Sequence, residues 1–169
     1  MKIGFDVMGG DFAPKTALEG ALSVLKELPS DIELVLIGNR SVIQESLSEY
    51  FNQLLQYPNV SVIDTPDVIT MNDSPTKAFS QKPNSSIAVG FGMLSKEHID
   101  VFIGAGNTGA MMVGALYSVK AIEGVIRPTI LSLVPKLNSN YGIFLVWIQI
   151  YKNYSRDRDN FESGISKFH

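Results

Sequence analysis

The chain has 169 residues, 45% of them hydrophobic and 18% charged, and it contains no cysteine. That balance belongs to a globular chain with a real core rather than a disordered or fibrous one, and the lack of cysteine excludes disulfides, thiolate metal sites and a cysteinyl acyl-enzyme on this chain. Fourteen basic against 17 acidic residues give a net charge of -3 without any basic block, which argues against nucleic acid as a partner. A nest of backbone amides can still hold a small anion in an acidic protein.

Met1-Lys2-Ile3-Gly4-Phe5-Asp6 lacks the basic stretch and long apolar segment of a secretory leader, so a cytoplasmic protein is expected. Residues 2–7 read as a strand that stops at Gly9-Gly10. From Pro14, the residues Ala17, Leu18, Ala21, Leu22, Leu25 and Leu28 recur at helical spacing until Pro29 ends the pattern. Ile32 to Ile37 is a second, mostly buried strand closed by Gly38. A helix is expected over 41–55, with Val42, Ile43, Leu47, Phe51, Leu54 and Leu55 on one broad face, followed by a third strand over 59–63.

The stretch from Asp64 to Pro83 has no long period and three prolines, so it reads as a long loop broken by a short helix starting at Ser74-Pro75. Loops of that length in compact domains are often functional. Asn84-Ser85-Ser86 opens a helix over 87–96, and a fourth strand over 99–103 runs into Gly104 to Gly109 and a helix over 110–122. A fifth strand is expected over 129–134, and the apolar run Ile143 to Ile148 is far shorter than the roughly 20 residues that span a bilayer. This alternation predicts an α/β fold: three layers, a mostly parallel sheet with helices on both faces, and a site at the carboxyl ends of its strands. The candidate site loops are those after Val7, Ile63 and Ile103.

Gly104-Ala105-Gly106-Asn107-Thr108-Gly109 fits the G-x-G-x-x-G pattern between a strand and a helix. A dinucleotide site also needs an acidic residue closing the next strand, and Pro135-Lys136 stands there instead. Two readings stay open: a tight βα turn, or a cradle of helix amides for a phosphate or an oxyanion. In Asp6-Val7-Met8-Gly9-Gly10-Asp11 the glycines suit a sharp turn or a close ligand, and capping of the next helix is the simpler role for Asp11. Asn72-Asp73-Ser74-Pro75 suits a helix start, near which Lys77 and Lys82 offer positive charge. His98 is expected at a helix end, complementing the dipole.

Taken in order, Lys2 to Pro14 with its D-x-M-G-G-D-x-x-P phrase, Asn72 to Pro75, the Ala105-Gly106-Asn107-Thr108-Gly109-Ala110 turn and Arg127-Pro128 resemble the PlsX family of phosphate acyltransferases. The resemblance implies a phosphotransacetylase-like fold and an enzyme that moves a fatty acyl group from acyl carrier protein to inorganic phosphate for phospholipid synthesis. It further implies a homodimer peripheral to the membrane and no metal or organic cofactor. Direct attack by phosphate on a thioester needs no enzyme cysteine; it needs a phosphate cradle and oxyanion donors. Asn107 and Thr108 are the expected catalytic donors. Gly9, Gly10, Gly106, Gly109, Ser74 and Lys77 are expected to bind phosphate and substrate, with Asp6 and Asp11 organising the loop.

The family pattern covers 1–142, which reads as the N-terminal part of an incomplete PlsX-like domain, and 143–169 reads as a divergent tail of the kind a frameshift leaves. The alternatives are an inactive remnant and a phosphate- or nucleotide-binding domain without turnover.

Overall fold

The computed structural model describes residues 1–121, 123, 130–135 and 142–147. The chain divides into two compact units, Met1–Val119 and Lys120–His169.

In the first unit, four short apolar runs form strands β1 (Lys2–Asp6), β2 (Glu33–Gly38), β3 (Val60–Asp64) and β4 (Val101–Gly104), all parallel, in the order β3-β2-β1-β4. From Leu34 onward every residue of β2 is buried, because both faces of this inner strand are covered. Leu34 and Leu36 join one core cluster with Leu18 of helix α1 (Lys15–Leu25) and Ile43, Phe51 and Leu54 of helix α2 (Arg40–Leu54). Val35 and Ile37 point the other way, into a cluster with Ile99 and with Val89 and Met93 of helix α4 (Ser86–Ser95). The period-two alternation of one strand thus builds three layers. Fully burying side chains such as Leu18 and Phe51 contributes about 1.5–3 kcal/mol each before chain entropy is subtracted.

The helices follow their start and stop signals. In α1, Leu18, Ala21 and Leu25 make the buried stripe. The Asn39 side chain caps α2 by accepting from the Val42 amide at 3.0 Å. The expected broad face of α2 is narrower in the structure. The backbone at Leu47 leaves helical values (φ -144°, ψ 38°), so the helical phase does not run through it, and Val42 and Leu55 are exposed while Ile43, Phe51 and Leu54 are buried. Helix α3 (Pro75–Gln81) starts at the expected Ser74-Pro75, and Ser85 caps α4. Phe91 of α4 meets Phe102 of β4 edge to face, with centroids 5.0 Å apart. Helix α5 (Thr108–Gly114) passes into a π-helical turn, Ala115–Val119. Among the described residues no helix is long and apolar enough to cross a membrane.

The path β1-α1-β2-α2-β3 winds outward in one direction, and the chain then returns through α3 and α4 to place β4 on the far side of β1. Right-handed crossovers require the helices of the two excursions to lie on opposite faces, as they do here. The reversal falls between β1 and β4, and in open α/β sheets ligands bind in the crevice at that switch point.

In the second unit, β5 (Ile130–Pro135) pairs with β6 (Gly142–Trp147) antiparallel, from Ile130 opposite Trp147 to Pro135 opposite Gly142. The fifth strand therefore exists, but its hydrogen-bonded neighbour lies antiparallel to it. Residues 136–141 are too few for the crossover of a dozen or more residues that a parallel neighbour demands. Arg127-Pro128, and the expected tail from 148 onward, lie outside the described residues.

Candidate functional site at the carboxyl end of the sheet

The turns after β1 and β4 meet at the switch point. A β-carbon built on Gly9 would lie 2.5 Å from the Gly106 nitrogen and 2.8 Å from its Cα, so the two backbones touch where no side chain fits. Gly10 has φ +107°, a conformation that L side chains rarely adopt. Next to Gly10 in the same loop, Asp11 is exposed, and no side chain caps α1: Pro14 stands at the cap position. The capping role expected of Asp11 is therefore not taken up.

Asn107 ties a third loop to this junction. Its Oδ1 accepts from the Ala110 amide at 3.0 Å, capping α5, and its Nδ2 donates to the carbonyl oxygens of Thr70 and Asp73, each at 3.0 Å. The side chain is buried, and both amide hydrogens are committed to the loop. That loop is braced further: one Asp73 carboxylate oxygen accepts from the Thr70 amide at 2.7 Å and from the Lys82 ammonium at 2.7 Å, and Lys82 also donates to the Val68 carbonyl. Lys82 beside it, followed by the Thr70 amide, holds the Asp73 carboxyl below the usual carboxylate range. The long segment between β3 and α3 is thus a fixed wall, and the positive charge of Lys82 is spent on it.

The other site candidates line the rim. Thr108, the first residue of α5, is exposed, as are Ser74 and Lys77. Ser74 precedes α3 without using its hydroxyl as a cap. α3 and α5 pack so closely that a β-carbon on Gly109 would be 2.5 Å from Pro75 Cγ, which sets Ser74 beside the first turn of α5. With Ala110 capped by Asn107, the amides of Thr108 and Gly109 have no intrahelical carbonyl to bond.

Beneath the junction lies Asp6, 1% exposed at the end of β1. Its Oδ1 accepts from the Met8 amide at 3.0 Å, while Oδ2 has no partner at hydrogen-bond geometry among the described residues. Burial raises its pKa above the ordinary value, against the opposing pull of the Ser86 hydroxyl and the Met8 and Gly9 amides. Reasoning from the sequence missed Ser86, the brace around Asp73 and the side-chain reach of Asn107. The first two carry no local signal, whereas Asn107 at a helix start announced its cap but not its second set of bonds.

His98 lies at the opposite, amino end of the sheet, just ahead of β4. A cavity of about 610 Å³ opens there beside Lys2, Glu33, Ser61 and His98. Three of its polar groups join strands: Lys2 pairs with Glu33 at 3.0 Å, and Ser61 donates to Glu33 at 2.9 Å.

Fold and site together define a parallel α/β protein with a glycine-walled turn junction at its switch point. The family described as Fatty acid synthesis protein matches residues 1–150, and the chain belongs to it. Among curated relatives, the "Phosphate acyltransferase" of Caldicellulosiruptor saccharolyticus is 40% identical over 141 residues, 83% of this chain and 41% of the relative. That of Thermoanaerobacterium thermosaccharolyticum is 38% identical over 138 residues, 82% and 39% of the two chains. The one from Dictyoglomus thermophilum is 37% identical over 147 residues, 86% and 42%. The chain spans about two fifths of the length of these relatives.

Proposed function

We propose that this chain carries the phosphate-binding part of a phosphate acyltransferase, which converts fatty acyl-[acyl carrier protein] and inorganic phosphate to acyl phosphate and free carrier protein in phospholipid synthesis. What supports the reading is the meeting of the turns after β1 and β4 and of the Thr70–Asp73 loop at Gly106 and Asn107, in a chain whose relatives bear that name. An oxygen of phosphate attacks the thioester carbonyl carbon. The new C–O bond forms as the carbonyl oxygen becomes an oxyanion; collapse then breaks the C–S bond, and the carrier's thiol leaves with the proton that hydrogen phosphate gives up. The protein's part is to hold the two reactants together and to stabilise the oxyanion.

In this scheme the Gly106 to Gly109 amides and the Thr108 hydroxyl face phosphate or oxyanion, with Ser74 and Lys77 at the rim. Gly9 and Gly10 give the backbone clearance. Asn107 serves the reaction by fixing the turn against the Thr70 to Asp73 wall, since its donors are already engaged. Asp6 and Asp11 belong to the loop rather than to the anion, because an ionised carboxylate repels phosphate. The family resemblance adds a homodimer, cytoplasmic and peripheral to the membrane, to this reading.

Two measurements test it. Phosphate should raise the melting temperature of this chain and NAD should not, as linkage requires of a ligand that binds only the folded state. In a full-length relative, replacing the residues that match Asn107 by Ala and Thr108 by Val should slow acyl phosphate formation. An unchanged rate in both removes the assignment.

A further inference from the structure

Asp6 stands where β1, β4 and α4 come together. β-Carbons built on Gly9, Gly104 and Gly106 would lie 2.7, 3.4 and 3.3 Å from its Oδ2. Three glycines therefore leave space around one carboxyl oxygen, and that oxygen is buried without a hydrogen-bond partner among the described residues.

What faces it is uncharged. From α4 come the Ser86 hydroxyl and, close by, Ile87; from the β1–α1 loop, the amides of Met8 and Gly9; from β4 and its turn, Gly104 and Gly106; from β2, Ile37. Neither α4, β4 nor α5 contains a charged residue. In the β3–α3 loop, Asp73 is paired with Lys82, and Asp67 pairs along the backbone with Ser85; Asp11 is exposed on its own turn. Among the described residues no cation compensates a charge on Asp6. A buried, uncompensated carboxylate is strongly disfavoured and takes up a proton instead.

We propose that Asp6 is a positioning residue that serves the site in its neutral form, closing the Gly9 and Gly106 turns over itself, and that its ionisation disables anion binding at those turns. The inference rests on the proposed anion cradle and adds a pH-dependence to it. A proton on Oδ2 turns an oxygen that can only accept into a donor, in a spot walled by backbone. Loss of that proton places a full negative charge against the Gly9 and Gly106 backbone, at the start of the turn whose amides the anion would use, in a medium where charges are poorly screened. Burial, the largest influence on this carboxyl, acts in the same direction.

Sulfate is the suitable probe, since its charge is constant over the range in which phosphate itself titrates. On the 169-residue chain, the side-chain carboxyl carbon of Asp6 and the amides of Gly9 and Gly106 are followed by NMR against pH, and the sulfate Kd is measured across the same range for wild type and Asp6→Asn. The expected result has the carboxyl titrating above the ordinary carboxylate range, the two glycine amides shifting with it, and sulfate binding weakening on the order of tenfold through that transition in the wild type but not in Asp6→Asn. Titration of Asp6 in the ordinary range overturns the inference, as do wild-type and variant affinities that follow one curve. The wild-type titration decides the question even if Asp6→Asn does not fold. Sulfate and phosphate failing to bind either protein at any pH overturns the cradle itself, and the two failures are thereby told apart.

Discussion

Gly9 and Gly106 lie in backbone contact across the switch point of the sheet, with the Gly106 nitrogen 2.5 Å from where a Gly9 β-carbon would stand. They come from turns separated by most of the first unit, and only the parallel pairing of β1 with β4 brings them together. Local sequence accounts for each turn; topology accounts for their meeting.

Gly9→Ala is therefore expected to destabilise by overpacking, about 1–3 kcal/mol, because the added methyl meets the Gly106 backbone, which cannot rotate away, and the buried Asp6 carboxyl. Gly10→Ala acts differently. A β-carbon there meets nothing closer than 3.6 Å, and the penalty comes from φ +107°, about 1–2 kcal/mol. Denaturant unfolding measures both, and the two variants should part on anion affinity: Gly9→Ala pries the turns open and weakens sulfate or phosphate binding more than Gly10→Ala does. Equal affinity in the two would show that the contact does not shape the cradle.

Asn107 separates cap from tether. Asn107→Ala loses the Ala110 cap, about 1 kcal/mol, and strips the Thr70 and Asp73 carbonyls of a donor, about 1–3 kcal/mol more. Asn107→Asp keeps an acceptor for the cap but turns a carboxylate oxygen toward two carbonyl oxygens. Hydrogen exchange distinguishes the roles. The Thr70 and Asp73 amides should lose protection in both variants, and the Ala110 amide only in Asn107→Ala.

The strands of the first unit were legible because each is a short apolar run bounded by glycine or turn residues, and all four fall within two residues of their expected bounds at each end. That the three carboxyl-end loops would come together was legible for the same reason, since a parallel sheet puts every strand's carboxyl end on one side. What escaped is which groups pair once the chain folds. The sequence puts Lys82 near the helix start at Asp73 but does not announce that the two pair, nothing there points to Asn107, and an aspartate after an apolar run gives no sign that Ser86 will lie beside it. The phase break at Leu47 and the antiparallel pairing of β5 were missed for a related reason: periodicity shows that an element exists, but not where its backbone departs from the ideal or which strand it will meet.

The Thr70–Asp73–Lys82 brace should open in acid. Because Lys82 and the Thr70 amide lower the folded-state pKa of Asp73, the stability it contributes is present above the unfolded carboxylate value and is lost as pH falls through the lower, folded one. The Thr70 amide should lose its exchange protection over that acid interval. Lys82→Met removes the ammonium that both carboxylate and Val68 carbonyl use, so protection should be lower at neutral pH and should change at a higher pH than in the wild type. An unshifted midpoint in Lys82→Met would mean that the Thr70 bonds alone set the Asp73 titration.

Asp6 has the opposite sign. Its folded-state pKa is raised, so the folded protein holds a proton that the unfolded chain has already released, and ∂ΔG/∂pH is negative between the two values. The stability that Asp6 contributes is fully present below the unfolded carboxylate value and is lost as pH rises through the folded one. Asp6→Asn carries a neutral amide at every pH and has no such dependence. The variant's stability relative to wild type should accordingly climb as pH rises across that window and level off above it, as read from urea unfolding at a series of pH values. A wild-type minus variant difference that stays constant with pH would mean that Asp6 titrates alike in folded and unfolded chains. A difference that moves the other way would mean that Asp6 is held as a carboxylate, with the Ser86 hydroxyl and the Met8 and Gly9 amides outweighing its burial.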